Sequence, residues 1–529
     1  MKYFSTRGGS QKLSFEETVL TGLAPNGGLY IPETIPSLPS DWKTKWASHS
    51  FIDLSVAILS LYISAEEISE AELRTLVQKS YQTFRHPEIT PLKKLDDKRY
   101  VLELFHGPTF AFKDVALQLL GNLFEFFLLR RNARKAPGEK PEKLTVVGAT
   151  SGDTGSAAIY GLRNKANISI FILHPKGRVS PIQEAQMTTV TDSNVHNIAV
   201  GGTFDDCQDI VKSLFGDVEF NATHRLGAIN SINWARILAQ TVYYFLSYFH
   251  IQAQLPPGVD AEIQYVVPTG NFGDILAGYY AKRMGLPMGK FVVATNANDI
   301  LARFWNTGKY EKVDSGLDQP TTDGKQGTSS SGVKETLSPA MDILVSSNFE
   351  RLLWYLAYEN ARAETNPQDA ACHTLAGWMS KMKSDGRVAI PVGVIELARQ
   401  DFLAERISDE QTLQTIQAHF EGNPSYIVDP HTAVGLAAGK IVASKKSSTT
   451  HQIMLSTAHP AKFSEAVTQA LRGHTQFNFE QDVLPAEFVG LLDKKRNVIE
   501  VPRPDIDLVK AVIEGFVETT PSSDAIVGL

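Results

Sequence analysis

The sequence predicts an α/β protein built from parallel or mixed sheets with helices on their faces. After about residue 100, short apolar runs of strand length alternate with longer stretches of helical periodicity. The short runs are predominantly apolar, as in strands that are covered on both faces. The chain has 529 residues, of which 43% are hydrophobic and 21% charged. These values are ordinary for a packed globular protein, and the length corresponds to about three domains.

The N-terminal region, residues 1–97, is predicted to precede this alternation as a unit of its own. Residues 24–32, APNGGLYIP, are interpreted as a turn that leads into a short strand. Residues 51–85 have apolar side chains at helical spacing, with Leu54 and Ile58 as examples. We therefore expect helices in the second half of this region.

The α/β alternation then continues through most of the chain. Strands are predicted at 144–149, 168–173, 195–200, 263–267, 291–295 and 453–455. Helices are predicted between them, at 115–130, 205–215, 232–249, 275–284 and 349–363. The stretch 314–335 contains few apolar residues, so we interpret it as a mobile surface insertion without catalytic function, with a lid as the alternative.

Charge, composition and motif content exclude several classes of function. The formal net charge of -7 does not favour nucleic acid or an anionic membrane as a partner. No apolar run reaches the roughly 18 residues of a spanning helix, and the first residues lack the core of a signal peptide. The two cysteines, Cys207 and Cys372, fit a reducing compartment. We expect a soluble, cytoplasmic enzyme.

Several common catalytic signatures are also missing from the sequence. It contains no G-x-x-x-x-G-K-[ST] loop, no G-x-S-x-G elbow and no H-E-x-x-H helix. The 13 histidines are scattered along the chain, and two cysteines cannot form a four-cysteine zinc site. We therefore expect no metal site.

The segment FHGPTFAFKD, residues 105–114, is the first positive signal. It leads into a helix that is apolar nearly all round, which is typical of a buried helix. Lys113 would lie at the first turn of that helix, where burial and the positive helix end both disfavour the ammonium form. A lysine that loses its proton easily is a candidate nucleophile or general base. The alternative is a structural lysine paired with Asp114.

Two glycine-rich loops follow predicted strands and open predicted helices. The first is TSGDTGSA, residues 150–157, and the second is VPTGNFGD, residues 267–274. Such loops expose backbone N–H groups to an anion, although a capped helix start explains each of them as well. A fourth segment, LSTAHPAKF at 455–463, places Thr457 at the end of a buried strand, where hydroxyl groups reach ligands.

Taken together, these segments resemble the threonine synthases. The motifs FHGPTFAFKD, ATSGDTGSA, NSINWAR, PTGNFGD and STAHPAKF occur in that order, and the resemblance covers about residues 5–500. The length and the N-terminal region are similar to the longer, fungal-type members. The resemblance implies fold type II of the pyridoxal phosphate enzymes, the tryptophan synthase β-like fold. It also implies conversion of O-phospho-L-homoserine and water into L-threonine and phosphate, the last step of threonine biosynthesis.

The resemblance implies roles for particular residues of this chain. Lys113 would bind pyridoxal phosphate as a Schiff base and serve as general acid and base. The cofactor phosphate would lie on the loop formed by Gly270, Asn271, Phe272, Gly273 and Asp274. Thr457 would contact the pyridine nitrogen. The substrate carboxylate would contact Ser151, Gly152, Asp153 and Thr154, and the substrate phosphate would contact Asn230, Ser231 and Arg236.

The expected organisation places the cofactor between two α/β units. The large unit combines 98–139 with 231–510, the small unit spans 140–230, and 511–529 form a C-terminal tail. The protein is expected to be a monomer or a homodimer. Two other functions remain open: a related pyridoxal phosphate lyase that never makes threonine, and a non-catalytic ligand-binding protein.

Overall fold

The computed structural model describes residues 1–256, 258–312, 332–445 and 450–517. Its strands are β1 (Tyr3–Ser5), β2 (Tyr30–Pro32), β3 (Leu92–Lys94), β4 (Arg99–Glu103), β5 (Leu144–Ala149), β6 (Ile168–Pro175), β7 (Val195–Val200), β8 (Leu226–Gly227), β9 (Ile263–Pro268), β10 (Phe291–Thr295), β11 (Lys309–Glu311), β12 (Arg387–Ala389), β13 (Phe402–Arg406), β14 (His451–Ser456) and β15 (Ile499–Val501).

The helices are α1 (Phe15–Thr21), α2 (Trp42–Lys45), α3 (Phe51–Tyr62), α4 (Glu70–Tyr81), α5 (Lys113–Ala133), α6 (Asp153–Leu162), α7 (Pro181–Thr188), α8 (Phe204–Gly216), α9 (Val218–His224), α10 (Trp234–Gln252), α11 (Gly273–Met284), α12 (Ile300–Thr307), α13 (Phe349–Asn360), α14 (Pro367–Ser384), α15 (Val392–Asp401), α16 (Asp409–Phe420), α17 (Pro430–Ser444), α18 (Ser464–Ala470), α19 (Phe479–Asp482) and α20 (Ile506–Val517). Short 3-10 turns occur at Pro339–Met341, Pro460–Phe463, Ala486–Phe488 and Leu491–Asp493.

A six-stranded sheet with the order β13-β10-β9-β14-β4-β3 forms the centre of one unit. All its strand pairs are parallel except β3 with β4 at the edge. Alternate residues face opposite sides, so Val266 and Met454 pack with α17 while Tyr265 and Ile453 join the main core. The segments that follow β4, β9 and β14 therefore meet at one edge of this sheet, where ligands bind in parallel α/β sheets.

A five-stranded, fully parallel sheet with the order β15-β7-β6-β5-β8 forms the centre of the second unit. One face packs on α8 and α20, where Val509 and Ile513 are fully buried. The strand β15 comes from near the C-terminus, in a segment that the sequence analysis placed with the other sheet. Residues 511–517 continue α20 rather than leaving the fold as a tail.

Most of the buried side chains of the N-terminal region belong to the main core, and only Leu13, Ala24 and Tyr30 form a small cluster of their own. Its strands β1 and β2 pair with each other, and its aromatic side chains pack directly on helices of the main core. The ring of Tyr3 lies 5.8 Å from Trp234 on α10, and the ring of Phe15 lies 6.3 Å from Phe127 on α5. The region therefore supports α5, which begins at Lys113, and α10, whose first turn contains Arg236.

The predicted strands and helices are confirmed, with ends that differ by a few residues. The predicted insertion, 314–335, lies outside the described residues except for 332–335. Of the helices in the described ranges, none is long and apolar enough to cross a membrane.

Candidate functional site

Lys113 is the first residue of α5 and lies directly beside the end of β14. The Phe112 N–H donates to the Thr457 carbonyl at 2.8 Å, and the His459 N–H donates to the Phe110 carbonyl at 3.0 Å. These bonds form an antiparallel bridge between Ala111 and Ala458. Two motifs that are far apart in the sequence are thereby joined, and Lys113 and Thr457 are held on neighbouring backbones.

The turn before Lys113 is tightly constrained. A side chain at Gly107 would place its Cβ 2.4 Å from the Cβ of Asp114, so only glycine fits there. The Thr109 N–H and hydroxyl both donate to the Asp114 carboxylate at 2.8 Å. Phe110 has a φ of 60°, which is rare for a bulky residue and is stabilised by the surrounding packing. The guanidinium of Arg85 lies 3.8 Å from the centre of the Phe110 ring.

The amine of Lys113 loses its proton more easily than an ordinary lysine. Burial lowers its pKa to about 8; the carboxylate of Asp153 opposes this change, while the positive charges of Arg236 and Lys462 favour it. Its ammonium lies 6.0 Å from the centre of the Phe112 ring. A substantial fraction of neutral amine at physiological pH is what a Schiff-base nucleophile or a general base requires.

The loop between β5 and α6 has a conformation that depends on its glycines. The Thr150 hydroxyl accepts from the Gly152 N–H at 3.0 Å and from the Gly155 N–H at 2.9 Å. A Cβ at Gly152 would lie 2.5 Å from the Gln183 side chain, and one at Gly155 would lie 2.4 Å from Thr150. A side chain at Gly155 would therefore clash with Thr150 and Met187, whereas one at Gly152 would require the Gln183 side chain to move.

The side chain of Asp153, at the end of this loop, forms an ion pair with Lys462. Its Oδ1 lies 2.7 Å from the Lys462 Nζ and accepts from Gln183 Nε2 at 2.8 Å. Burial opposes ionisation of Asp153, but the positive charges of Lys462 and Lys113 outweigh it and lower the pKa to about 2. An ionised carboxylate repels another carboxylate, so any contact of Asp153 with the substrate carboxylate would come from its backbone N–H.

The loop between β9 and α11 presents backbone N–H groups. The Gly270 carbonyl accepts from the Ser346 hydroxyl at 2.7 Å, and the Asn271 carbonyl accepts from the Asn348 N–H at 3.0 Å. A trans peptide directs its C=O and N–H to opposite sides. The N–H groups of Asn271 and Phe272 therefore point away from the segment 346–348, which the two carbonyls face. A Cβ at Gly270 would lie 3.0 Å from the Ala340 carbonyl.

Three helices that begin at the site start without a side-chain cap, as do α2, α12, α13, α14, α15 and α18 elsewhere in the fold. At the starts of α5, α6 and α11, Phe112, Gly152 and Phe272 make no capping hydrogen bond through a side chain. In contrast, α1, α4, α8 and α16 begin with capping boxes. The first N–H groups of a helix have no partners within the helix, so these three uncapped helices suit anionic ligands.

Asp274 follows this loop, and its carboxylate faces α10. Its Oδ1 accepts from the hydroxyls of Tyr243 and Tyr244. Burial raises the pKa of Asp274 to about 7, against the lowering effect of these two bonds. The predicted contact of Asp274 with the cofactor phosphate would therefore use its backbone N–H rather than its carboxylate.

Arg236 lies on the first turn of α10 and is almost fully buried, with 3% exposure. Its Nη1 donates to the Ile229 carbonyl at 3.2 Å, while its Nε is buried without a partner among the described residues. Burial lowers the pKa of Arg236 to about 10. A buried guanidinium with an unused donor fits an anion such as phosphate.

Asn230 and Ser231 are less enclosed than Arg236. Asn230 is exposed and Ser231 is half-buried. Both line a cavity of about 370 Å³ that also contacts Ser346 and Ser347, next to the loop at Gly270. The structure thus brings these two residues near the loop at Gly270, whereas Arg236 is not part of the cavity wall.

Sequence reasoning missed the residues that support the two loops. Lys462 lies within the STAHPAKF segment, in which only Thr457 was singled out from the sequence. The turn Pro339–Met341 packs beside Gly270. It is held in place by a hydrogen bond from the Ala340 N–H to His431 Nε2 at 3.1 Å. His431 Nδ1 lies 2.9 Å from Asp429 Oδ1, and this arrangement assigns its proton to Nδ1.

Comparison with family models places most of the chain in known families. Residues 2–81 match the model described as threonine synthase N terminus, residues 84–349 match pyridoxal-phosphate dependent enzyme, and residues 432–513 match threonine synthase, C-terminal. The site residues named above all fall within these ranges or in the segment between the last two.

Individual relatives agree with these models over nearly the whole chain. The chain is 57% identical to the threonine synthase of Schizosaccharomyces pombe and 52% identical to that of Saccharomyces cerevisiae; the alignments cover 97% of this chain and 98% and 97% of those proteins. The yeast threonine synthase crystal structure is similar with a TM-score of 0.89 at 51% identity, covering 98% of this chain and 99% of that one. A PLP-bound threonine synthase from Brucella melitensis has a TM-score of 0.84 at 39% identity, with the same two coverages. The chain therefore belongs to the threonine synthase family of pyridoxal-phosphate-dependent enzymes.

Proposed function

We propose that this protein converts O-phospho-L-homoserine and water into L-threonine and phosphate. The observation that supports this most directly is the position of Lys113, a lysine with a pKa of about 8 at the end of β14. Its charged neighbours include the Asp153 carboxylate in one glycine-rich loop and the Arg236 guanidinium at the start of α10. A reactive amine among anion-binding groups suits a substrate that has a carboxylate at one end and a phosphate at the other.

The residues present fit pyridoxal phosphate. A Cβ at Gly270 would make a tight contact of 3.0 Å with the Ala340 carbonyl, and the peptides after Gly270 direct their N–H groups away from the supporting segment 346–348. We infer that Gly270, Asn271, Phe272 and Gly273 hold the cofactor phosphate, with the backbone N–H of Asp274 beside them. When bound, pyridoxal phosphate withdraws electrons from the substrate carbon next to the amino group.

Lys113 and Thr457 would contact the reactive part of the cofactor. The Lys113 amine would bind the aldehyde carbon and, once released, would move protons at Cα and Cβ of the substrate. The Thr457 hydroxyl would contact the pyridine nitrogen without adding a charge. Thr457 is 7% exposed and its carbonyl accepts from Phe112, so the two functional groups would keep a constant spacing.

The two ends of the substrate would lie in different parts of the site. The loop Ser151, Gly152, Asp153 and Thr154 would hold the carboxylate through backbone N–H groups and hydroxyls. Arg236, with Asn230 and Ser231, would hold the phosphate and stabilise its negative charge as it leaves Cγ. Water would then supply the hydroxyl at Cβ, and Cγ, having lost the phosphate, would take up a proton to become the methyl group of threonine.

We further propose the organisation that the sequence indicates, with one refinement. The N-terminal region spans 1–97, the small unit spans 140–230, and the large unit combines 98–139 with 231–510. The refinement assigns β15 and α20 to the small unit, because β15 pairs with β7.

We also propose that the protein is a monomer or a homodimer and that it is located in the cytoplasm. The thiols of Cys207 and Cys372 are free and buried, which fits a reducing compartment.

The proposed function is tested by incubating the purified protein with pyridoxal phosphate and O-phospho-L-homoserine. Phosphate and L-threonine should form in equal amounts. Release of phosphate without threonine would identify a related lyase instead. A protein that releases neither product, although it binds the cofactor, would be a ligand-binding member of the family without this activity.

A further inference from the structure

Lys462 is a second buried lysine at the site, and the proposed chemistry gives it no role. It lies in the turn Pro460–Phe463 after β14, and its side chain is fully buried. Its ammonium donates to the Thr109 carbonyl at 2.8 Å and lies 2.7 Å from Asp153 Oδ1. A buried ammonium requires such partners, because an unpaired buried charge is costly.

These contacts join three segments that come from different parts of the fold. Thr109 belongs to the turn before Lys113, Asp153 opens α6 on the five-stranded sheet, and Lys462 follows a strand of the six-stranded sheet. The ion pair therefore connects the two α/β units across the site. Gln183 of α7 completes the set by donating to the same Asp153 oxygen.

The same pair also acts electrostatically on Lys113. The charged groups around the Lys113 amine are Asp153 and Asp114, which favour its ammonium form, and Arg236 and Lys462, which disfavour it. Of these four charged groups, Asp153 has the largest effect on the pKa of Lys113. Without Lys462, the Asp153 carboxylate would act on Lys113 with one less positive charge to oppose it.

We propose that Lys462 is a positioning residue: its ammonium joins Asp153 at the start of α6 to the Thr109 carbonyl in the turn before Lys113, so that the Asp153 carboxylate is presented near Lys113 as half of a neutral pair. Lys462 does not touch the reacting atoms in this proposal. It acts through Asp153, and the pair is neutral as a unit, so the loop can approach an anionic substrate without a net negative charge. This inference rests on the proposed function only through the importance of Lys113.

The test measures the titration of Lys113 in the full-length apoenzyme, without substrate or turnover. Competitive labelling of amines over a pH series, read by mass spectrometry of the Lys113 peptide, gives its pKa. The wild-type value is expected near 8. Removing one charge of a close pair typically shifts a neighbouring pKa by about 1 or more, so K462Q should raise the pKa of Lys113 and D153N should lower it. The double variant K462Q/D153N should return it close to the wild-type value.

Two further variants separate this electrostatic role from a structural one. K462R retains the charge and should leave the titration of Lys113 unchanged. K165Q removes a different lysine, which is only partly buried and whose ammonium lies 3.6 Å from Glu125. This variant should also leave the titration of Lys113 unchanged. If K462Q does not fold, D153N and the double variant still measure the effect of the pair. Unchanged titration in K462Q, or a D153N value that does not fall below wild type, would overturn the proposal.

Discussion

Replacing Arg236 by methionine should stabilise the ligand-free protein and impair catalysis at the same time. The guanidinium is almost fully buried, makes a hydrogen bond to the Ile229 carbonyl, and keeps its Nε without a partner among the described residues. Such a group is unfavourable until an anion binds. Methionine fills a similar volume without a charge or a donor, so it removes the unfavourable group together with the phosphate contact.

The size of the effect follows from the chemistry of the buried group. An unsatisfied buried donor costs about 1–3 kcal/mol, and the loss of the single 3.2 Å bond to Ile229 offsets part of the gain, so Arg236→Met should raise the free energy of unfolding of the apoenzyme by up to about that amount. A hydrogen bond to a charged group contributes about 1.5–3 kcal/mol, so kcat/KM for O-phospho-L-homoserine should fall by roughly 10- to 150-fold. Guanidinium chloride unfolding measures the first quantity and steady-state kinetics measure the second. Binding of pyridoxal phosphate should persist.

Inorganic phosphate and a second arginine provide the controls. Phosphate should raise the unfolding midpoint of the wild-type apoenzyme through Arg236, and this part of the increase should be lost in the variant. Arg351 is equally buried, but it donates to the carbonyls of Tyr30 and Ile232 at 3.0 and 2.7 Å, so Arg351→Met should destabilise the protein. A less stable Arg236→Met protein, or one that loses the cofactor, would refute the assignment of an unpaired phosphate-binding arginine.

Three other predictions concern Lys113, Thr457 and Asp274. Borohydride reduction of the holoenzyme followed by peptide mapping should place the cofactor on Lys113, and a label on another lysine would contradict the assignment. Thr457→Ser should retain the cofactor affinity, whereas Thr457→Val should weaken it by about 1–3 kcal/mol because a buried polar group loses its partner; equal affinities in a pyridoxal phosphate titration would exclude this contact. The pKa of Asp274 is raised by burial to about 7, so the native state holds a proton that the unfolded state releases, and the contribution of Asp274 to stability falls as pH rises from about 4 to 7. Asp274→Asn, which still accepts from Tyr243 and Tyr244, should therefore gain stability relative to wild type over this range; a constant difference in unfolding midpoint across it would show that Asp274 does not titrate there.

The sequence by itself determined six strands of the two sheets, β5, β6, β7, β9, β10 and β14, and the positions of the two glycine-rich loops. A strand such as β5 is recognisable because its residues are apolar in a short run, and the glycines at 152 and 270 indicate loops because they lack side chains. Both signals depend only on residues that are adjacent in the sequence. The burial of Lys113 was predictable for the same reason, because the apolar helix that follows it is local.

The tertiary structure decided the partners of the polar side chains. The sequence did not show that Asp153 pairs with Lys462 or that Asp274 faces two tyrosines on α10, because each partner belongs to a distant segment. It also did not show that β15 returns to the five-stranded sheet, since a three-residue strand has too few residues to specify its pairing. Buried charges require partners within hydrogen-bonding distance, and only the folded arrangement of the two sheets determines which groups lie that close.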